Sequence, residues 1–468
     1  MDITRRVAEF AATTGFGDIP EAAVHDTKRI ILDEIGCALA GYATEQGPQI
    51  IATVKPWGGT PEATIIGSGD RTSAPLAAFV NAKTGNLYDS DDVFLNSGHQ
   101  SPMIFFPALA VAQATGSSGT ELITSFAVGF DVASRIILAL GSVFERVGDK
   151  VVNSEAVGFN HAIFGSSAAV GSLLNLSAEQ MQDAFGQAAQ YTPSPTGTTF
   201  LQDITPSKIG VEATALGGLM AAYLARNGYR GQRTILDTDY YAKAMGKRTY
   251  NWERLVDNLG ERWYISETSI KPYPHCRHTH YALCLIERIV AQTGIGMDDI
   301  KDVLIRGLGS YSTTKAWATA EPQDQYQGQF SVPYGTAMLA MHLPPGPKWQ
   351  QPGLAKDPKV QDFMKRVRYE TEPRIAALML ESLPKLLREY PTTVTITTTD
   401  GRVFTESTVH AKGDGFSEEW RLSDDEVVKK FTTHSEGVLS ADKLDRLVEA
   451  ILGLERIENV QALHELLH

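Results

Sequence analysis

Cysteine is scarce: only Cys37, Cys276 and Cys284 occur in 468 residues. An odd, scattered set gives no disulfide framework and no zinc-finger spacing, and it points to a reducing compartment. A basic excess is also lacking. Lys and Arg number 42 against 55 Asp and Glu, a formal charge of −13. A nucleic-acid surface would need a clustered positive excess, so no nucleic-acid partner is expected. Arg5 and Arg6 stand near the start, but Glu9 and polar neighbours leave no signal-peptide core. No apolar run approaches the ~20 residues of a membrane span. The expected location is therefore cytoplasmic, with no membrane partner. Phosphate-loop, Gly-x-Ser-x-Gly and His-Glu-x-x-His motifs are absent. Gly217 and Gly218 fall within a helical pattern and suit close packing better than phosphate binding.

What is present suits a large buried interior. The chain is 43% hydrophobic and 21% charged, and its length corresponds to roughly two to three domains at about 150 residues each. The first half reads as successive helices. Ile31, Ile35 and Leu39 make a four-residue stripe over Glu21 to Tyr42. Further helices are expected from Leu76 to Tyr88, Phe106 to Thr115, Thr120 to Leu140, His161 to Asn175, Ser177 to Ala189, and Gly210 to Asn227. Ser177 with Gln180 has the spacing of a capping box. Their richness in Ala, Gly and Ser allows close helix packing. The pattern changes near Ser266. After a helix from His280 to Thr293, Asp302 to Leu308 alternates as a strand. Thr393 to Thr399 and Val403 to Val409 flank Asp400 and Gly401, a hairpin signal. Helices return over Ser423 to Thr433 and Ser440 to Leu452, with a short one near Val460. The expected fold is mainly α with an inserted α/β domain. A discontinuous all-helical domain over 1–265 and 405–468 carries a smaller α+β lid domain over 266–404.

Four places concentrate chemistry. Asp89, Asp91 and Asp92 crowd three carboxylates into four residues, and His99 follows. Carboxylates with an imidazole can perform general acid–base work. A solvated acidic turn and a Mg²⁺ site are the competing readings. His161 opens a small-residue helix, where the helix dipole disfavours its charged form and leaves it able to accept a proton; a capping or core histidine is the plainer alternative. Lys208 precedes a glycine-started helix, where it either faces an anion or is simply exposed. The densest segment runs from Lys271 to His280. Lys271 and Arg277 suit carboxylates, Arg277 bidentately. Tyr273, His275 and Cys276 lie between them as candidate substrate contacts. Metal binding through His275, His278 and His280 lacks a nearby carboxylate and faces neighbouring cations. No metal and no cofactor are expected.

At these residues the chain resembles the MmgE/PrpD family of 2-methylcitrate dehydratase, cis-aconitate decarboxylase and iminodisuccinate epimerase. The landmarks run through nearly the whole sequence. They are Asp89 to Asp92 with His99, Phe105 to Ala110, Gly119 to Leu122, Asn160-His161 with Phe164-Gly165, Leu224 to Gly231, Lys271 to Pro274, Gln329 to Tyr334, Gly401, and Lys430-Phe431. The resemblance implies a helical domain, a smaller α/β domain and a site between them, built from Asp89, Asp92, His99, His161 and Lys271. Lys208 lies near a family lysine position, with a different spacing to the next glycine. Val93 stands where the family often has Thr, and Cys276 where the decarboxylase branch has His. Both departures weigh against cis-aconitate-type decarboxylation.

The implied activity is cofactor-independent proton abstraction α to a carboxylate on a small polycarboxylic acid. A 2-methylcitrate dehydratase-like hydro-lyase is the leading reading, and an epimerase of an iminodisuccinate-like amino-polycarboxylate is the alternative. A metal-dependent hydrolase and a non-catalytic carboxylate-binding protein are the readings from other classes. The family also implies a homodimer.

Overall fold

A computed structural model describes residues 2–142, 144–153, 160–193, 201–247, 250–309 and 314–468. The chain is mainly helical, with its largest sheet, of four strands, in the second half. The Glu21–Tyr42 helix is the axis of the first half. Every residue from Asp26 to Gly41 is buried, so its apolar stripe has neighbours on all sides. The Ala74–Asn86 and Asp424–Ser435 helices pack against it. The Ser101–Thr115, Gly119–Leu140, Ala162–Leu173, Ala178–Tyr191 and Val211–Arg226 helices complete this region.

Local chemistry explains many of these boundaries. Ser118, Ser177 and Ser423 each cap a helix and form reciprocal boxes with Glu121, Gln180 and Glu426, satisfying otherwise orphaned N–H groups. Gly116 ends its helix in the left-handed conformation that glycine adopts without a steric penalty. Small residues set the helix separations. A β-carbon on Gly41 would lie 1.9 Å from the Thr84 carbonyl oxygen, and Gly129 and Gly165 meet at comparable range.

Gly119–Leu140 is long and apolar enough by composition to cross a membrane, a longer apolar stretch than sequence reading finds. Its apolar window is 94% buried inside the molecule. Helix packing thus accounts for the hydrophobicity.

Two apolar cores divide the chain. One takes residues from Ile3 to Ile270 and again from Leu422 to Leu467. The other runs mainly from Tyr273 to Ala411. In the second, the Ile300–Gly307 strand is central. It pairs in parallel with Val367–Thr371 and antiparallel with Thr392–Thr398. Val403–Thr408 pairs antiparallel with Thr392–Thr398 across the Asp400-Gly401 turn. The His280–Thr293 helix packs against this hairpin. Val394 and Ile396 point inward while Thr393, Thr395 and Thr397 are only half-buried, the alternation of a sheet with one covered face.

Candidate active site

The acidic segment begins after the Ala74–Asn86 helix. Asp89 has a φ of +52°, a left-handed conformation that is costly for most residues and less so for Asp. Next, Val93 pairs with Ser269 and Phe94 with Thr268 in a short antiparallel bridge. This bridge joins the acidic loop to the segment just before Lys271. Lys271 Nζ consequently donates to the Asp89 carbonyl oxygen at 2.6 Å and to Asp89 Oδ2 at 3.0 Å. Lys208 Nζ reaches the other carboxylate oxygen, Oδ1, at 3.2 Å. Lys208 also donates to Gln329 Oε1 at 2.7 Å. The Gln329 amide is held in turn by Leu87 O and Gln350 Oε1, both at 2.7 Å.

Asp89, Lys208 and Lys271 are all buried. Burial opposes ionisation of Asp89, but Lys208, Lys271 and His99 outweigh it and hold the carboxyl well below the usual range. Burial lowers the Lys208 ammonium, against the pull of Asp89 and Asp91. Counted as ions, the Lys208 and Lys271 ammonium groups offset the Asp89 and Asp91 carboxylates, so the buried cluster carries no net negative charge. An acidic protein thereby acquires a local site for a carboxylate.

The three aspartates have different partners. Asp91 Oδ2 lies 2.8 Å from His99 Nδ1, and Asn86 Nδ2 donates to Asp91 Oδ1 at 2.9 Å. His99 Nε2 lies 3.9 Å from Asp89 Oδ1. Asp92 turns away from the lysines. Its oxygens accept from Ser101 N at 2.8 Å and Thr268 Oγ1 at 2.6 Å, and burial raises its pKa. Beneath the loop, Lys430 Nζ donates to Ser90 O at 2.6 Å and pairs with Asp33 Oδ1 at the same distance. His434 Nε2 lies 2.9 Å from Ser90 Oγ. Glu34 accepts from Asp92 N at 3.4 Å. Burial, reinforced by Asp91, Asp92 and Asp33, lifts its pKa well above the carboxylate range.

His161 approaches the same loop. A β-carbon on Gly98 would stand 3.3 Å from His161 Cε1. Burial, with a smaller effect from Lys247, pushes its pKa down to about 3. The ring is neutral at physiological pH, and its Nε2 has no hydrogen-bond partner among the described residues.

The segment from Lys271 to His280 separates into two groups. Lys271 faces Asp89. Tyr273 donates to Glu287 Oε2 at 2.6 Å. His275 lies 2.7 Å from Thr279 Oγ1 and 3.0 Å from Ser331 O, and burial pushes its pKa down to about 4. The Cys276 thiol is pushed up to about 12 by burial, then by Asp89. Arg277, expected to hold a substrate carboxylate, is instead ion-paired with Asp414 and donates to Lys412 O at 2.9 Å. Its partner lies 137 positions later, so the pairing is invisible to local sequence reading. The structure therefore brings Asp89, His99, Lys208 and Lys271 together, with His161 against the same loop. It commits the side-chain polar atoms of Asp92, Tyr273 and His275, and both terminal nitrogens of Arg277, to other protein groups. Among the described residues, no three His, Cys, Asp or Glu side chains are grouped to hold a metal ion.

Asp91, Asn86, Gln329 and Gln350 are additions to the sequence-derived set. Asp91 was visible within the acidic run, and Gln329 opens the Gln329 to Tyr334 landmark. Gln350 carries no local signal. A cleft of about 220 Å³ is lined by Ile204, Lys315, Thr319 and Gln327 among others. Its walls come from segments that lead directly into Lys208 and Gln329.

Two family models cover most of the sequence. The MmgE/PrpD N-terminal domain matches residues 5–253, and the MmgE/PrpD C-terminal domain matches 273–456. The chain belongs to the MmgE/PrpD family. Cis-aconitate decarboxylase from Homo sapiens is 25% identical over 476 residues, covering 96% of this chain and 91% of the relative. The enzyme of that name from Aspergillus terreus is 24% identical over 497 residues, covering 100% and 96%. The Mus musculus enzyme is 24% identical over 469 residues, covering 96% and 90%. In this MmgE/PrpD chain, Lys208 and Lys271 come from the segments matched by or adjoining the two different models. Both reach the same carboxylate.

Proposed function

We propose that this protein is a lyase that moves a proton α to a carboxylate on a small polycarboxylic acid. The observation carrying this reading is the convergence of Lys208 and Lys271 on Asp89, with His99 3.9 Å from that carboxylate. Removing an α-proton from a carboxylate develops an enolate-like dianion, which needs fixed positive charge more than it needs a strong base. Two buried ammonium groups supply that charge. Asp89 and Asp91 balance them in the protein, so the cluster presents no net negative charge to a substrate carboxylate.

Substrate carboxylate binds beside Lys208 and Lys271. His161 or His99 takes the α-proton, and the electron pair moves into the carboxylate-conjugated system. The other histidine, or the Asp92 carboxyl whose pKa burial raises, protonates a departing β-hydroxyl, which leaves as water. Dehydration of a 2-methylcitrate-like acid follows, with no cofactor taking part. Return of the proton to the opposite carbon face would give the epimerisation of an iminodisuccinate-like acid. Decarboxylation is favoured by the names of the relatives and opposed by Val93 and Cys276. The enzyme is expected to act as a homodimer.

Incubation with citrate-, aconitate- and iminodisuccinate-type acids in deuterium oxide, followed by NMR, distinguishes the three outcomes. A new alkene signal with loss of the β-hydroxyl supports dehydration. Incorporation with inverted configuration selects epimerisation, and release of carbon dioxide selects decarboxylation. No exchange and no product across the series would refute the catalytic reading.

A further inference from the structure

We propose that Asp91 is a positioning residue that fixes the tautomer and aim of His99, making Nε2 the nitrogen that exchanges the reacting proton. This deepens the proton-transfer reading and rests on it for the reaction, whereas the geometry stands independently. Asp91 and its partners lie behind the ring. Its Oδ2 is 2.8 Å from His99 Nδ1, while Asn86 Nδ2 secures its other oxygen at 2.9 Å. An ionised carboxylate can only accept hydrogen bonds. The proton of the contact must therefore reside on His99 Nδ1, in either charge state of the ring. Nε2 lies on the side of Asp89, 3.9 Å from its Oδ1.

The charged and titratable surroundings agree with this arrangement. Asp89 and Lys271 lie toward the reacting side, Lys208 lies beyond Asp89, and His278 also acts electrostatically on His99. Asp91 is fully buried. Burial opposes its ionisation, but His99, with a smaller contribution from Lys271, keeps it below the usual carboxylate range. Glu34 behind it is the carboxyl whose surroundings favour retention of a proton. Asp91 thus remains an acceptor. A carboxylate at one imidazole nitrogen fixes the tautomer and the orientation of the ring.

The proton transfer balances simply. The substrate C–H bond breaks, an Nε2–H bond forms, and the electron pair stays in the carboxylate-conjugated system. Asp91 neither gains nor loses a proton.

Asp91→Asn tests the assignment. The new amide oxygen remains toward the donating Asn86 amide, which places its NH₂ group against His99 Nδ1. A donor there drives the ring proton to Nε2. In ¹⁵N-histidine-labelled protein, with His99 assigned by loss of its signal in His99→Gln, wild type should show protonated Nδ1. Asp91→Asn should show the Nε2–H tautomer. Turnover of a substrate identified in the deuterium experiment should fall at least roughly 100-fold, with KM changed little.

A wild-type ring protonated only at Nε2 overturns the proposal without any variant. Retention of the Nδ1–H tautomer in Asp91→Asn also overturns it, whatever the activity. If the variant does not fold, the wild-type spectrum decides. If no acid is turned over, the functional reading fails while the tautomer result still decides the role of Asp91.

Discussion

Replacing His161 with leucine separates the requirements of catalysis from those of folding. The two side chains are similar in volume, and the ring lies buried beside Gly98 with no hydrogen-bond partner for Nε2 among the described residues. Its pKa is lowered from 6.5 to about 3. The folded state therefore binds fewer protons than the unfolded state between those values. Stability from this group is present above the unfolded pKa and is lost as pH falls through about 6.5 toward 3. At pH 5 the unfolded histidine is almost fully charged and the folded one almost fully neutral. The resulting destabilisation is about 2 kcal/mol. Leucine cannot titrate, so unfolding His161→Leu in unbuffered urea at pH 5 should take up about one proton fewer than wild type. At pH 7, relief of a bare buried nitrogen should leave the variant as stable as wild type or stabilise it by about 1 kcal/mol. Turnover should nevertheless fall about 100- to 10,000-fold if His161 transfers the reacting proton. Equal proton uptake by the two proteins at pH 5 would refute the electrostatic argument. Near-wild-type turnover would remove His161 from the mechanism.

Two further perturbations address the charge cluster and the helix packing. Lys271→Met leaves the buried Asp89 carboxylate with Lys208 as its only ammonium partner among the described residues, and should cost about 3–5 kcal/mol in a denaturation experiment. Adding Asp89→Asn should recover part of that loss, since the paired charges are coupled; additive losses would contradict the ion-pair account. Gly41→Ala should destabilise by at least about 1–3 kcal/mol because its β-carbon would meet the Thr84 carbonyl at 1.9 Å. An unchanged denaturation midpoint would show that the two helices separate without penalty.

Helix positions were the most legible part of the fold because their causes are local, although the helix expected from Phe106 begins at Ser101. The stripe from Ile31 to Leu39, the Ser177–Gln180 box and Gly116 each act within a few positions, and the corresponding elements follow. The Asp400-Gly401 hairpin was legible for the same reason. Site chemistry was legible by residue type but not by pairing. Nothing local distinguishes Asp89, Asp91 and Asp92, yet one meets two lysines, one a histidine, and one a backbone N–H and a hydroxyl. Arg277 illustrates the same limit, since its charge was evident but Asp414 was not adjacent to it in sequence. The short bridge between Val93-Phe94 and Thr268-Ser269 has little strand signature of its own. Its two segments lie far apart in sequence, so their pairing has no local signal.

The support beneath Ser90 has a consequence for synthesis of the chain. Asp33 arrives early from the ribosome, whereas its partner Lys430 arrives almost 400 positions later. Until then, Asp33 lacks the cation that offsets its burial, and the Ser90 carbonyl lacks its ammonium donor. The nascent acidic loop therefore has to remain hydrated or borrow other partners while the rest of the protein emerges. A chain released before residue 430 would retain Asp89, His99, Lys208 and Lys271 but lack the clamp beneath their loop. Such a fragment should be a substrate for chaperones and proteases before it becomes a catalyst.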